Sequence, residues 1–279
     1  MRRKCHGPKR NYCAPDGKIA ALLVDVDGTI SVCERYFNEA KDRFAFFMKT
    51  IGFKPADATR MIAEAELAHV KTHGFERDGL GKAMVEAYTR LCKSKGVRSN
   101  RHFMGICEDI GRSPFFREPE LFPNAAAVLG RAHHNFMMFA VSIGNREAQK
   151  FKVRQAGLDA VFDDLIISSQ DNKAELVAEL IEDLNIDPRF SAHIGNSRRS
   201  DGACLQHTNF IYLPMEPGWA FDKAELPKDT GFQVFECANW REAEEQAINR
   251  LVRRRRAALD AAGADSSTSE SADESEDKE

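Results

Sequence analysis

The stretch ALLVDVDGTI, Ala21–Ile30, decides how the rest of the chain is read. Ala21, Leu22, Leu23 and Val24 form an apolar run without alternation, the pattern of a strand buried on both faces. It ends in two carboxylates, Asp25 and Asp27, followed by Gly28 and Thr29. Like charges at the end of a buried run are penalised by desolvation and by mutual repulsion. Something of opposite charge has to sit beside them, and other strand ends are where to look for it.

Residues 1–17, with Pro8, Pro15 and Gly17, read as a flexible N-terminal arm. After the opening strand, no strand-like pattern occurs between Glu34 and about Gly111. NEAKDRFAFFMKTIG places Phe44, Phe47, Met48 and Ile51 at helical spacing; ADATRMIAEAELAHVKTHG and GKAMVEAYTRLCKSKG follow, each closed by a glycine. Residues 34–115 are therefore expected to form an all-helical inserted subdomain. Strand–helix alternation then resumes. The strand FMMFAVSIGN turns at Ser142, FDDLIISS follows the helix REAQKFKVRQAGL, and NKAELVAELIEDL leads to the strand FSAHIGNS. SDGACLQH opens a further helix and TNFIYLP is a last strand. Such repetition predicts an α/β fold, a doubly wound parallel sheet with a Rossmann-like core over 18–33 and 116–250. Ligands of these sheets bind beyond the carboxyl ends of the strands, so Asp25, Ser142 and Gly195 are expected to face one crevice.

Composition narrows the partners. The chain has 279 residues, 43% of them hydrophobic and 30% charged, and its net charge of −3 supplies no general attraction to nucleic acid or anionic lipid. No run is long and apolar enough to span a bilayer, and the basic start MRRKCHGPKR lacks the apolar segment of a secretory signal. Seven scattered cysteines, an odd number, argue for reduced thiols and a cytoplasmic location. Cys5, His6 and Cys13 have no second ligand pair nearby, which disfavours zinc. Residues 251–279 read as a basic, then acidic, disordered tail, since ADSSTSESADESEDKE has no aromatic residue to bury. The arginines 253–256 resemble a nucleic-acid-binding run, but the solvated end of a helix is the preferred reading. The charged tail is a candidate surface for a protein partner.

The strand ends together present carboxylates (Asp25, Asp27), a hydroxyl (Ser142), a fixed cation (Lys173) and two more oxygen ligands (Asn196, Asp201). Oxygen donors without histidine or thiolate suit a hard cation such as Mg²⁺, and Ser142, Lys173 and helix-start N–H groups suit a phosphate. A metal, a phosphate cradle and a free carboxylate imply phosphoryl transfer to an aspartate. Blander roles exist: a helix N-cap for Ser142, a surface lysine for Lys173, a turn residue for Asn196. A lysine at a helix start opposes the helix dipole, however, and needs a reason to be there. Arg198 and Arg199 either steer phosphate or are solvated, and His69 and His73 read as surface residues of one helical face.

VDVDGT, FAVSIGN, DNKAEL and HIGNSRRSDGA occur in the order of the four motifs of the haloacid dehalogenase (HAD) superfamily, which this chain resembles over residues 18–250. NFIYLPMEPGWAF also resembles the strand and loop that close such cores. The resemblance implies a helical C1-type cap over 34–115 and a Mg²⁺-dependent hydrolase of small phosphorylated metabolites. By it Asp25 is the nucleophile, Asp27 the general acid and base, and Ser142, Lys173 and Gly28 form the phosphate site. Asp25, the Asp27 carbonyl, Asn196 and Asp201 are the implied metal ligands. Asp27 also distinguishes the chain from dehalogenases, which lack an acid there. Asn196 departs from the acid that commonly opens the fourth motif and is expected to weaken metal binding. The cap's inner face, including Tyr36, Phe75, Glu76 and Arg77, is expected to set specificity. A phosphomutase and a catalytically weak interaction protein are the rival readings.

Overall fold

The computed structural model describes residues 11–215 and 224–270. Six strands form one parallel sheet in the order β3-β2-β1-β4-β5-β6. They are β1 (Ala21–Val24), β2 (Met137–Ile143), β3 (Asp164–Ser168), β4 (Ala192–Gly195), β5 (Asn209–Tyr212) and β6 (Val234–Glu236). The unalternated run at Ala21 has the expected cause. Leu22 and Val24 enter one hydrophobic cluster, with Phe136, Ile194 and Trp240, while Ala21 and Leu23 enter another on the opposite face, with Val177 and Ile186. Fully burying each of the larger side chains contributes about 1.5–3 kcal/mol. The chain runs outward from β1 through β2 to β3, then returns to place β4 on the other side of β1. The order reverses there, and the crevice beyond the ends of β1 and β4 is the position where such sheets bind ligands.

Four helices form the insert that follows β1: α1 (Glu34–Thr50), α2 (Pro55–His73), α3 (Gly79–Ser94) and α4 (Arg101–Arg112). They carry a hydrophobic cluster of their own, with Phe44, Met48, Ile62, Met84, Tyr88 and Leu91 at its centre. The remaining core helices are α5 (Ala125–Ala132), α6 (Arg146–Gln155) and α7 (Lys173–Asp183). The helix expected after Asp201 is a single 3₁₀ turn, Gly202–Gln206. The short strand β6 has only Phe235 buried, too little pattern to betray it in the sequence.

Both ends of the chain depart from expectation. Residues 11–17 are not a loose arm: Asn11 N–H donates to His134 O at 2.9 Å, Ala20 N–H to Tyr12 O at 2.8 Å, and Ala14 is buried. The rest of the arm, with Cys5 and His6, lies outside the described residues. The expected tail from Leu251 continues as helix. After α8 (Trp240–Glu242) the coil widens into a π turn over Ala243–Ile248, and α9 (Asn249–Glu270) follows. Arg255, within the arginine run, is buried and donates to the carbonyls of Asn135 (2.5 Å) and Asn11 (2.6 Å) over the Phe136 ring. Arg253, Arg254 and Arg256 are exposed. The acidic end, 271–279, and residues 216–223 of the expected closing loop lie outside the described residues. Among the described residues, no helix is long and apolar enough to cross a membrane.

Candidate active site

Asp25 follows β1 directly, and its N–H continues the ladder to Ile194 O of β4 at 2.9 Å. The chain then turns sharply, with Gly28 N–H donating to Ser31 O at 2.8 Å and Ile30 N–H to Val26 O at 3.0 Å. Gly28 adopts φ +74°, and a Cβ there would lie 2.4 Å from Asn196 Nδ2. Only glycine lets the Asn196 amide rest against this turn. The indole N–H of buried Trp240 donates to Thr29 O at 2.9 Å and holds the turn from behind.

The opposite charge that Asp25 requires is Lys173, the first residue of α7 and itself buried. Its ammonium donates to Asp25 Oδ1 at 2.8 Å and also to Asp201 Oδ1. These two carboxylates account for a cation at a helix start, against the dipole. Burial opposes the Lys173 charge, but Asp201 and Asp25 more than offset it and hold the ammonium well above its ordinary range. Burial pushes the Asp25 carboxyl up to about 7, with Lys173 pulling it down and Asp201 adding to the rise. Asp201 goes the other way: burial resists its charge, yet Lys173 and His193 hold it below the usual carboxylate range.

Asp27 is served separately, from α6. Gln149 Nε2 donates to its Oδ2 at 2.6 Å, and the Lys152 ammonium reaches its Oδ1. Burial would raise the Asp27 pKa, but Lys152 outweighs it and keeps the group ionised. Ser142, near the end of β2, is 1% exposed and its hydroxyl has no hydrogen-bond partner among the described residues. A buried hydroxyl without a partner is costly unless a ligand satisfies it.

The oxygen donors fit a hard cation in part. Thr29 Oγ1 lies 3.0 Å from Asp25 Oδ2 and 3.2 Å from Asn196 Oδ1. One hydroxyl carries one hydrogen, so it cannot donate to both. Two oxygens thus flank one hydroxyl, and Mg²⁺ commonly takes only one or two carboxylates and keeps several waters. Both oxygens of Asp201, the other expected fourth-motif ligand, accept from protein donors. Its Oδ1 takes Lys173 and His193 Nε2 (2.9 Å), and its Oδ2 accepts the Ser197 N–H at 2.9 Å. No group of three or more His, Cys, Asp or Glu side chains among the described residues is arranged to hold a metal.

Asp25, Asp27, Ser142, Lys173, Asn196 and Asp201 line a single cavity of about 190 Å³. Gly28 lies beneath, against Asn196, instead of in its wall. The helical insert supplies the far side through Phe37, Val70, Phe75, Leu80 and Phe115, with Glu76 and His69. Tyr36 and Arg77 are elsewhere: the Tyr36 hydroxyl donates to Glu120 at 3.1 Å, and Arg77 lies over Phe116. Arg198 pairs with Glu236 at 2.6 Å, away from the cavity, whereas Arg199 stands at its edge paired with Asp171. His69 lies against His73, the rings tilted by 35°, and reaches Glu76 at 3.3 Å. Sequence reasoning missed Lys152, Gln149 and His193. The spacing of three between Gln149 and Lys152 was the available signal for the first two; His193 sits in an apolar strand and gave none.

The six candidate residues thus share one crevice at the point of strand reversal of a doubly wound parallel sheet. The profile of haloacid dehalogenase-like hydrolases matches residues 19–205, and the chain belongs to that family. Solved structures agree on the fold. A haloacid dehalogenase-like family hydrolase from Xanthomonas campestris superposes with a TM-score of 0.69 at 18% identity, over 88% of this chain and 98% of its own. The HAD-hydrolase YfnB from Bacillus subtilis, solved bound to magnesium, gives 0.51 at 18% identity over 78% and 94%. An L-2-haloacid dehalogenase gives 0.50 at 16% over 82% and 99%. No curated protein matches the sequence.

Proposed function

We propose that the chain is a Mg²⁺-dependent phosphomonoester hydrolase working through an aspartyl-phosphate on Asp25. The observation that carries this over dehalogenation is Asp27, a second carboxylate lining the same cavity as the nucleophile. Both reactions need a base for the water of the second step, but a halide leaves without a proton, whereas an alkoxide leaving from phosphorus needs a proton donor. Asp25 attacks phosphorus, the new Asp25–phosphorus bond forms, and the bond to the leaving oxygen breaks as that oxygen takes the Asp27 proton. Asp27 then takes a proton from water, whose oxygen attacks phosphorus and releases Asp25. A dianionic phosphate beside Asp27 opposes its charge and favours the protonated form with which the first step begins. Ser142 gains the partner it lacks, and Lys173 balances the transferring group. Asp25, Asn196 and the Asp27 carbonyl would hold Mg²⁺, which supplies charge stabilisation at phosphorus.

The test is phosphate release from a panel of phosphomonoesters with Mg²⁺ or EDTA, beside halide release from 2-haloacids, for wild type and Asp25→Asn. Metal-dependent phosphate release lost in the variant supports the proposal. Halide release without metal replaces it by dehalogenation, and transfer only in the presence of a bisphosphate points to a mutase. Neither product, from folded protein, leaves the interaction protein. The setting we assign is cytoplasmic, with a small phosphorylated metabolite as substrate.

A further inference from the structure

The catalytic cavity of about 190 Å³ adjoins a second one of about 1000 Å³ between the insert and the core. The two share a wall that includes Glu66, Val70, Gly74 and Phe75 from the insert and the Asp171–Arg199 pair from the core. They differ in character. The small cavity faces apolar Phe37, Val70, Phe75, Leu80 and Phe115. The carboxylates of its wall contributed by α2 and the following turn are occupied: Glu66 pairs with Lys41 at 2.7 Å and Glu76 with Lys82 at 2.7 Å. The large one adds polar side chains, Asn38, Lys41, Lys71, Thr72, Ser169 and Gln170, beside Ala63 and Leu67.

The partition is fixed where α2 ends. Gly74 adopts φ +72°, and a Cβ on it would meet Ser169 O at 2.5 Å. Phe75 N–H donates to the same carbonyl at 3.3 Å. The turn is therefore seated on the loop after β3, and that seating places Phe75 between the cavities. We infer that Phe75, docked through Gly74 on Ser169, is a specificity-determining partition that limits the leaving group to a compact, apolar one. Pockets for drug-sized ligands run roughly 300–1,000 Å³, so a 190 Å³ cavity takes a phosphate and a short body. Sugar hydroxyls would face Phe37, Val70, Phe75, Leu80 and Phe115 over most of the insert side, where His69, Glu34, Glu66 and Glu76 are the few polar groups.

This inference rests on the phosphatase reading, and its test separates the two. The kcat/KM for phenyl phosphate and for adenosine 5′-monophosphate is measured with Mg²⁺ in wild type, Phe75→Ala and Gly74→Ala, each checked for folding by thermal melting. Wild type is expected to prefer phenyl phosphate. Phe75→Ala joins the cavities and shrinks that preference by about tenfold or more, chiefly through KM. Gly74→Ala does the same with the Phe75 ring still present in the chain, because its methyl unseats the turn that places the ring; Phe75→Leu replaces Phe75→Ala if that variant fails to fold. A wild-type preference for the nucleotide, or an unchanged preference in both variants, overturns the partition while the phosphatase reading stands. No phosphate release from any ester removes that reading, and the partition with it.

Discussion

Asp25 carries its charge at a cost, and the cost can be measured. In EDTA its folded carboxyl keeps its proton up to about 7, against 3.8 unfolded. Between those values the native state binds more protons than the unfolded one, so this group makes stability fall as pH rises. The slope it contributes is at most about 1.4 kcal/mol per pH unit. Asp25→Asn is therefore expected to gain on wild type in urea melts from pH 4 to 7, while losing about 10³-fold or more in turnover. Parallel stability–pH curves would contradict this account of Asp25. Asn196 offers a second residue-scale prediction. Asn196→Asp adds a carboxylate beside Asp25 and should lower the Mg²⁺ concentration giving half-maximal rate; a higher requirement would count against Asn196 as a ligand. These residues were legible because strand ends and four spaced motifs announce them. The Asp201 arrangement was not, since nothing in HIGNSRRSDGA reveals that His193 and the Ser197 N–H fill the carboxylate's oxygens.

At the scale of elements, α6 shows why pattern reading stops short. In REAQKFKVRQ the apolar residue facing solvent is Phe151, 46% exposed, whereas Lys152 points inward to Asp27. A hydrophobic pattern would invert them; the half-buried Asp27 carboxylate is what decides, because it needs a cation more than the core needs a ring. Lys152→Met should cost about 1–3 kcal/mol, leaving Asp27 with its Gln149 bond but without its charged partner. The measurement is a chemical denaturation curve at neutral pH, and a more stable variant would refute the pairing. The helix α9 taught the same lesson from the other side. RRRR looks wholly solvated, yet one guanidinium, Arg255, ties the N-terminal segment to the turn before β2. Arg255→Met is expected to expose residues 11–17 to limited proteolysis while α9 remains helical by circular dichroism; unchanged protection would show that the tie is dispensable.

For the molecule as a whole, parallel order and strand reversal were readable from the alternation of strands and helices, because each unit can pack only one way on its neighbour. The fit between insert and core was not, since it depends on a turn at Gly74 that no periodicity marks. The sheet's hydrophobic clusters surround β1 on both faces and none of them contains the oxygen donors of the site. Chelation by EDTA should thus abolish turnover and leave the melting temperature within a few degrees, as differential scanning calorimetry would show. A collapse of the fold on chelation would mean that the metal is structural.

Trp240 reaches back 211 positions to the carbonyl of Thr29. On the ribosome, the aspartate turn leaves the exit tunnel first and waits for that indole until the residues between them have followed. A nascent chain released short of Trp240 would have Asp25 and Lys173, but not the brace behind the turn, so the turn is secured only once the indole has followed it out.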